Sequence, residues 1–292
     1  MAKHAHVRDH DDTDRADRSQ TDSIDLRDFL HDLKRGDSDD DSHGRMNTNH
    51  HHHDGANAHG LENLLPEAFQ HADALYFAHI DPLNNSGVHA EALLALNGDI
   101  LTVKIVATGL DPAFNDATAT NEMHPLHIHG FPDGSPDSKV PTLLSDADHD
   151  GFIEVAEGAH DYGPILLSIT HDGQFPTAPQ GTFMFTETYQ LPSPAIPNPI
   201  LALNELGLNT NVPLDQREIV IHGLTLETGQ GGTNADSIVP PIGLNEADGT
   251  PGYKIALPVA AGEIQDLHSG AALAQFVSGL DSLGIHAQDW HI

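Results

Sequence analysis

His124-Pro-Leu-His127-Ile-His129-Gly130 is the stretch on which the fold turns. His127 and His129 are two residues apart, and side chains along a β-strand alternate between faces, so both rings leave one face. Further along, His160 lies in Gly158-Ala-His-Asp-Tyr-Gly-Pro164, and His222 in Ile219-Val-Ile-His-Gly223. Two more imidazoles from neighbouring strands would complete a planar nitrogen set. That geometry suits Cu(II), which can exchange one electron, as zinc cannot.

The flanking pattern is strand-like from residue 74 onward. Ala74–His79, Gly87–Leu96 and Ile100–Gly109 are β-branched or alternating runs, separated by Asn-Asn-Ser-Gly and Asn-Gly-Asp turn signals. Pro125–Gly130, Ile165–Thr170, Thr182–Tyr189, Glu218–Leu224 and Tyr253–Leu257 continue the series. Many short strands with Gly/Pro turns predict an all-β sandwich or barrel. The Pro-rich stretch Leu191–Pro199 reads as a loop or edge segment. Near the end, Leu267, Leu273, Phe276, Val277 and Leu280 recur mostly at three and four, which predicts an amphipathic helix packed on the barrel.

Charge is distributed unevenly along the chain. Its 292 residues carry a formal net charge of −32, which disfavours nucleic acid and anionic membranes as partners. Eight of the twelve Lys/Arg precede residue 61; only Lys104, Lys139, Arg217 and Lys254 follow. Such a body suits high salt or a calcium-rich exterior, where cations screen self-repulsion. With no cysteine, disulfides, thiolate metal sites and cysteine nucleophiles are excluded. No apolar run reaches the ~18 residues of a membrane span. The amino terminus lacks the apolar core of a secretory signal. The expectation is a secreted or periplasmic protein exported by another route, with a cytoplasmic one as the alternative.

Residues 1–60 are rich in Asp, His and Arg without sustained periodicity and read as a disordered tail. Ile24, Leu26, Phe29, Leu30 and Leu33 fall at helical spacing within it. His50–His53 belong either to a metal-scavenging tail or to an introduced tag. The expected organisation is therefore a tail (1–60), a β domain (61–264) with an insertion at about 131–157, and a helical extension (265–292).

The insertion carries a second motif. Asp146-Ala-Asp148-His-Asp150-Gly151-Phe152-Ile-Glu154-Val-Ala-Glu157 matches a calcium loop at positions 1, 3, 5, 6, 8 and 12. Asp146, Asp148 and Asp150 would wrap a hard cation, Phe152 would offer its backbone carbonyl, and Glu157 would bind through both oxygens. Gly151 permits the sharp turn. No helix pair is evident around it, so a structural calcium loop is expected rather than a sensor. Its place between His129 and His160 suggests that calcium orders the segment delivering the third copper ligand.

Taken in order, these features resemble a copper/zinc superoxide dismutase over roughly residues 74–264. Gly87–Leu110 resembles the strands leading to that family's His-x-His strand, and Leu126-His-Ile-His-Gly130 resembles the strand itself. Gly158-Ala-His160-Asp-Tyr-Gly-Pro164 resembles its Gly-Pro-His-x-Asn-Pro segment, and Gln216-Arg-Glu-Ile-Val-Ile-His222 its Gly-Arg-x-Val-Val-His strand. Gly229-Gln-Gly-Gly232 and Gly249-Thr-Pro-Gly-Tyr-Lys254-Ile-Ala256 resemble two later glycine-containing motifs of the family. The resemblance implies a Greek-key barrel and dismutation of superoxide to oxygen and hydrogen peroxide. It implies copper held by His127, His129 and His222, with His160 as the ligand that releases the metal and carries a proton, oriented by a partner such as Asp161. Lys254 falls where the family has its substrate-guiding arginine.

The departures define a copper-only variant. The family's cysteine pair is absent, and the acidic zinc ligand has no counterpart. Its bridging aspartate would fall at Leu226, beside Glu227; His171 alone could mimic a zinc ligand, so zinc is not expected. The first half also resembles a chordin-type domain, which implies the alternative of a non-enzymatic, extracellular copper- and calcium-binding module. His124-Pro-Leu-His-Ile-His-Gly130 further resembles a multicopper oxidase motif, but that chemistry needs a cysteine this chain lacks. Whether His124 displaces one of the four ligands stays open at this level.

Overall fold

A computed structural model describes residues 67–112, 123–198, 203–231, 247, 249–286 and 290. The expected tail, with His50–His53, lies outside these residues.

Among the described residues, eight antiparallel strands form one sheet, and two short strands form a second. The strands are β1 (Ala74–Pro82), β2 (His89–Asn97), β3 (Ile100–Thr108), β4 (Leu126–His129), β5 (Ile165–Ser168), β6 (Thr182–Gln190), β7 (Ile196–Asn198), β8 (Leu203–Glu205), β9 (Glu218–Leu226) and β10 (Gly252–Asp266). The large sheet runs β5-β4-β9-β10-β1-β2-β3-β6, and β7 pairs with β8. Among the described residues, three α-helices accompany them: α1 (Glu67–Gln70), α2 (Val155–Tyr162) and α3 (Gly270–Ser282).

The sheet curls into a half-barrel around one core. Leu166, Leu167 and Ile169 at one edge join the same buried cluster as Phe183 and Phe185 at the other, together with Ala90, Val103, Ile128, Ile221 and Ile264. Tyr189 links these edges, its hydroxyl accepting from the Thr170 amide (2.9 Å) and donating to the Thr170 carbonyl (3.0 Å). The Glu205 side chain accepts from the Ser168 amide (2.9 Å), satisfying a donor at the β5 edge that would otherwise invite another strand.

Strands β1–β3 are buried on both faces, which explains their near-continuous apolar runs. Tyr76, Ala92 and Leu94 face the interior, whereas Phe77, Leu93, Ala95 and Val106 pack outward against Leu273, Phe276, Leu280 and Trp290. The expected C-terminal helix is α3, begun by Ser269, whose Oγ accepts from the Ala272 amide at 3.1 Å. Fully burying a side chain such as Phe276 stabilises by roughly 1.5–3 kcal/mol.

Two features differ from the sequence expectation, and a third, the Pro-rich stretch read as a loop or edge segment, is in part an edge strand. Strand β10 continues past Pro258, because register shifts on both sides of that residue remove the need for its missing amide. The Pro-rich stretch contributes β7. A helix, α2, follows the acidic loop, where no flanking helix was expected.

Candidate metal centre

Strands β4 and β9 present three histidines to the outer face of the half-barrel. Leu126 and Ile128 turn inward with Ile219 and Ile221, which leaves His127, His129, Val220 and His222 on the other side. The register pairs His127 with Val220 and His129 with Glu218. One nitrogen from each of His127, His129 and His222 lies within 4.8 Å of the others. Ring centroids are 5.2 Å apart for His127 and His222, 5.5 Å for His127 and His129, and 6.1 Å for His129 and His222.

Backbone carbonyls orient two of the rings. His129 donates from Nδ1 to the Gly163 carbonyl at 2.9 Å, and His222 donates from Nδ1 to the Ala256 carbonyl at 2.6 Å. A proton held at Nδ1 leaves the lone pair on Nε2. Both Nε2 atoms are buried and make no hydrogen bond, and neither does Nδ1 of His127. Fixing one imidazole nitrogen to orient the other is how proteins prepare histidine for a metal. The rings are 0–2 % exposed. Burial therefore disfavours the imidazolium: it pushes His129 down to about 3, His222 down to about 4 and His127 well below the usual range, so all three stay neutral.

Helix α2 closes one side of this cluster. Glu157 starts it by accepting from the Glu154 amide at 3.0 Å, and Val155, Gly158 and Tyr162 form its buried face. The Tyr162 ring stands 4.5 Å from His129, with its hydroxyl donating to the Val155 carbonyl at 3.1 Å. Gly158 makes room, since a Cβ there would meet the Tyr162 ring at 2.4 Å. Gly163 ends the helix at φ +77° and approaches Gly130 closely, where a Cβ would come within 2.8 Å of backbone. Phe175 covers the other side, 5.4 Å from His127.

The expected ligand set is only partly assembled. His127, His129 and His222 come together, but His160 sits on the exposed face of α2, outside the cluster. The physical reason is the helix itself. Residues 160 and 162 would share a face in a strand, but about 200° separates them in a helix, so Tyr162 takes the inward position. Asp161 accordingly orients no imidazole at the cluster; it accepts from Ser145 Oγ at 2.5 Å.

His124 is also no member of the trio. It is buried, with Nδ1 3.1 Å from the His222 carbonyl and Nε2 3.0 Å from that of Asp111. Lys254 is buried on β10 opposite Leu224, two residues from His222 on β9, and donates to Thr250 Oγ1 at 2.9 Å. Leu226 is buried and Glu227 exposed, while His171 groups with Asp172 and Glu187 at the surface. Residues that sequence reasoning missed are Tyr162, Gly163, Ala256 and Phe175. The capping pair Glu154/Glu157 was the available signal for α2.

The acidic loop folds as a tight turn. Asp146 accepts from the His149 and Gly151 amides (2.7 and 3.0 Å), Asp148 from that of Asp150 (3.0 Å), and Asp150 from that of Phe152 (2.8 Å). Glu157 accepts from the Ala147 amide at 2.7 Å. Asp146, Asp148 and Glu157 form one compact carboxylate group, and Asp148, Asp150 and Glu154 another. Asn84 anchors the loop to the sheet, accepting from the Ile153 amide (2.7 Å) and donating to the carbonyls of Ile153 (3.0 Å) and Pro258 (2.9 Å).

In comparisons with known proteins, no family model matches this chain, and no curated protein matches it either. Among the described residues, no helix is long and apolar enough to cross a membrane.

Proposed function

We propose that this chain binds copper through His127, His129 and His222, in the manner of a copper/zinc superoxide dismutase, and that superoxide is its substrate. The observation that carries the reading is the convergence of one nitrogen each from His127, His129 and His222 in a buried site, with Nε2 of His129 and of His222 left without a hydrogen bond and each of these two rings fixed through Nδ1 by a backbone carbonyl. An all-nitrogen imidazole set suits copper better than calcium or magnesium. The strand order supports a Greek-key barrel of the same type: β6 returns beside β3 after β4 and β5 have paired at the opposite edge, and β9–β10 fills the space between β4 and β1.

Bound copper would supply one-electron exchange with superoxide. The surrounding residues have separate tasks. Gly163 and Ala256 hold the tautomers that present Nε2. Tyr162 and Phe175 exclude bulk water. Lys254 places a cation on the strand beside His222, where it favours approach of a small anion in an otherwise acidic protein. With His160 outside the cluster, the three imidazoles leave a coordination position for that anion. The acidic loop is read as a structural calcium site using Asp146, Asp148, Asp150, the Phe152 carbonyl and Glu157. Because Glu157 is both a loop carboxylate and the first turn of α2, calcium there would stiffen the helix that carries Tyr162 and Gly163.

One observation favours a second reading, a non-enzymatic copper- and calcium-binding module. The three rings are 0–2 % exposed, so an anion reaches them only when the residues that cover them move.

The test compares full-length protein with its His129→Ala variant, in copper affinity against a competing chelator and in the rate of superoxide loss. Copper carried by the tail is common to both and drops out of the difference. A copper affinity lower by at least ~100-fold in the variant, with loss of turnover, is expected, because it lacks one of only three imidazoles. If the parent binds copper tightly but consumes superoxide no faster than His129→Ala does, the module reading holds. Equal affinity overturns both readings.

A further inference from the structure

The half-barrel closes at a seam where the chain leaving β5 meets β6. Alternation along β6 puts Phe183, Phe185, Glu187 and Tyr189 on its inner face. Three of these are aromatic; Glu187 is the exception, and it stands across from His171. Its Oε2 lies 3.5 Å from His171 Nδ1 and accepts from the Asp172 amide at 3.1 Å. Asp172 Oδ2 lies 3.8 Å from His171 Nε2. A tight hairpin presents His171, whose amide donates to the Gln174 carbonyl (2.8 Å) while the Gln174 amide donates back to the His171 carbonyl (3.0 Å). The imidazole stacks on Phe185, with centroids 5.3 Å and planes 29° apart.

One nitrogen of His171 and one oxygen each of Asp172 and Glu187 lie within 4.8 Å of one another. Atoms bound to one ion at about 2.1 Å stand roughly 3.0–3.5 Å apart. Asp172 is 90 % exposed, so rotation of its side chain can make up the difference. His171 and Glu187 are partly exposed, which lets an ion reach them and water complete its coordination. The frame is set independently of any ion: Tyr189 bonds both the amide and the carbonyl of Thr170, holding the hairpin against β6. In a chain of net charge −32, a bound dication also relieves repulsion.

We propose that His171, Asp172 and Glu187 bind a divalent transition-metal ion of the zinc type, which clasps the β5 edge of the half-barrel to β6. One imidazole and two carboxylates supply the nitrogen and oxygen ligands such an ion takes, and the imidazole selects it over calcium and magnesium. The sequence resemblance offered His171 alone, and therefore no zinc; Glu187 joins it only through closure of the sheet. The site shares no ligand with the histidine trio and does not rest on the copper reading.

The experiment titrates Zn²⁺ into full-length protein and its Glu187→Gln variant against a competing chelator, with excess Ca²⁺ to occupy the acidic loop. Glutamine keeps an acceptor for the Asp172 amide, so unchanged melting in metal-free buffer is expected. The variant is expected to bind one Zn²⁺ fewer, with unchanged copper affinity. Hydrogen exchange locates the ion. At free Zn²⁺ ten times the dissociation constant, the amides of Thr170, His171 and Gln174 should exchange about 10-fold more slowly in the parent, and at the metal-free rate in the variant. Asp172→Asn, at a position that packs against little, should lower Zn²⁺ affinity by at least about 10-fold. Equal Zn²⁺ stoichiometry and affinity in the parent and both variants overturn the proposal. So does Zn²⁺ that leaves these three amides unprotected, or that is lost only when His129 is replaced.

Discussion

The histidine trio and the acidic loop satisfy their polar atoms in opposite ways. In the loop, Asp146, Asp148 and Asp150 each accept from an amide two to five residues ahead, and Glu157 closes the turn by reaching back to Ala147. These partners are sequence neighbours, so the turn is specified locally. In the trio, the orienting partners of both His129 and His222 are 34 residues away along the chain. Its arrangement exists only once β4, β9, β10 and α2 have assembled. One region is a local turn, and the other a product of the whole sheet. Glu157 joins them, because it belongs to the loop and starts the helix that covers His129.

The most direct challenge to that joint is Asp148→Ala with Asp150→Ala. At a calcium concentration 100 times the dissociation constant, the parent should gain about 2.7 kcal/mol. That corresponds to a melting temperature higher by roughly 5–10 °C, and calorimetry should show no such gain in the variant. Copper affinity should fall together with calcium binding. If calcium binding is lost and copper affinity is unchanged, the two regions are independent despite sharing Glu157.

A smaller effect is expected at Glu218, which faces outward beside His129. Both its carboxyl oxygens are buried without hydrogen bonds, and burial first, then Glu263 and Asp137, push it up to about 9. The unfolded chain releases this proton as pH rises through the ordinary glutamate range, while the fold holds it until about 9. Between those limits the unfolded state binds fewer protons, so stability falls as pH rises. Glu218→Gln removes this slope. Its urea midpoint should gain on the parent's between pH 5 and pH 9 and level off above. A difference that does not change with pH would show that the carboxyl is solvated or paired.

The smallest effect is expected at His160. Because α2 turns it to solvent, His160→Ala should change copper affinity and superoxide consumption by less than about 2-fold. A loss of tenfold or more would return His160 to the ligand set and require the end of α2 to unwind.

Much of the fold was legible because strand patterns are short-range. The runs beginning at Ala74, Gly87, Ile100, Thr182 and Glu218 all became strands, and Leu273, Phe276 and Leu280 form the buried face of α3. The extension of β10 past Pro258 was not legible, since a bulge depends on the partner strand. Nor was the position of His160. Spacing placed it near the cluster, but the choice of helix or extended chain over residues 155–162 decided which side chain turned inward, and that choice favoured Tyr162.

Period and composition alone dictate an acidic chain without cysteine, an all-β pattern, two imidazoles on one face of β4, and a carboxylate-lined turn with Gly151 at its bend. Which distant groups meet is a matter of tertiary packing. It brought His222 to His127 and His129, set the Gly163 and Ala256 carbonyls behind them, covered them with Tyr162 and Phe175, and set Glu187 beside His171. Side-chain alternation depends only on adjacent dihedral angles. Burial, tautomer and ligand convergence depend on strands that pair across long stretches of chain, and only packing makes those pairings.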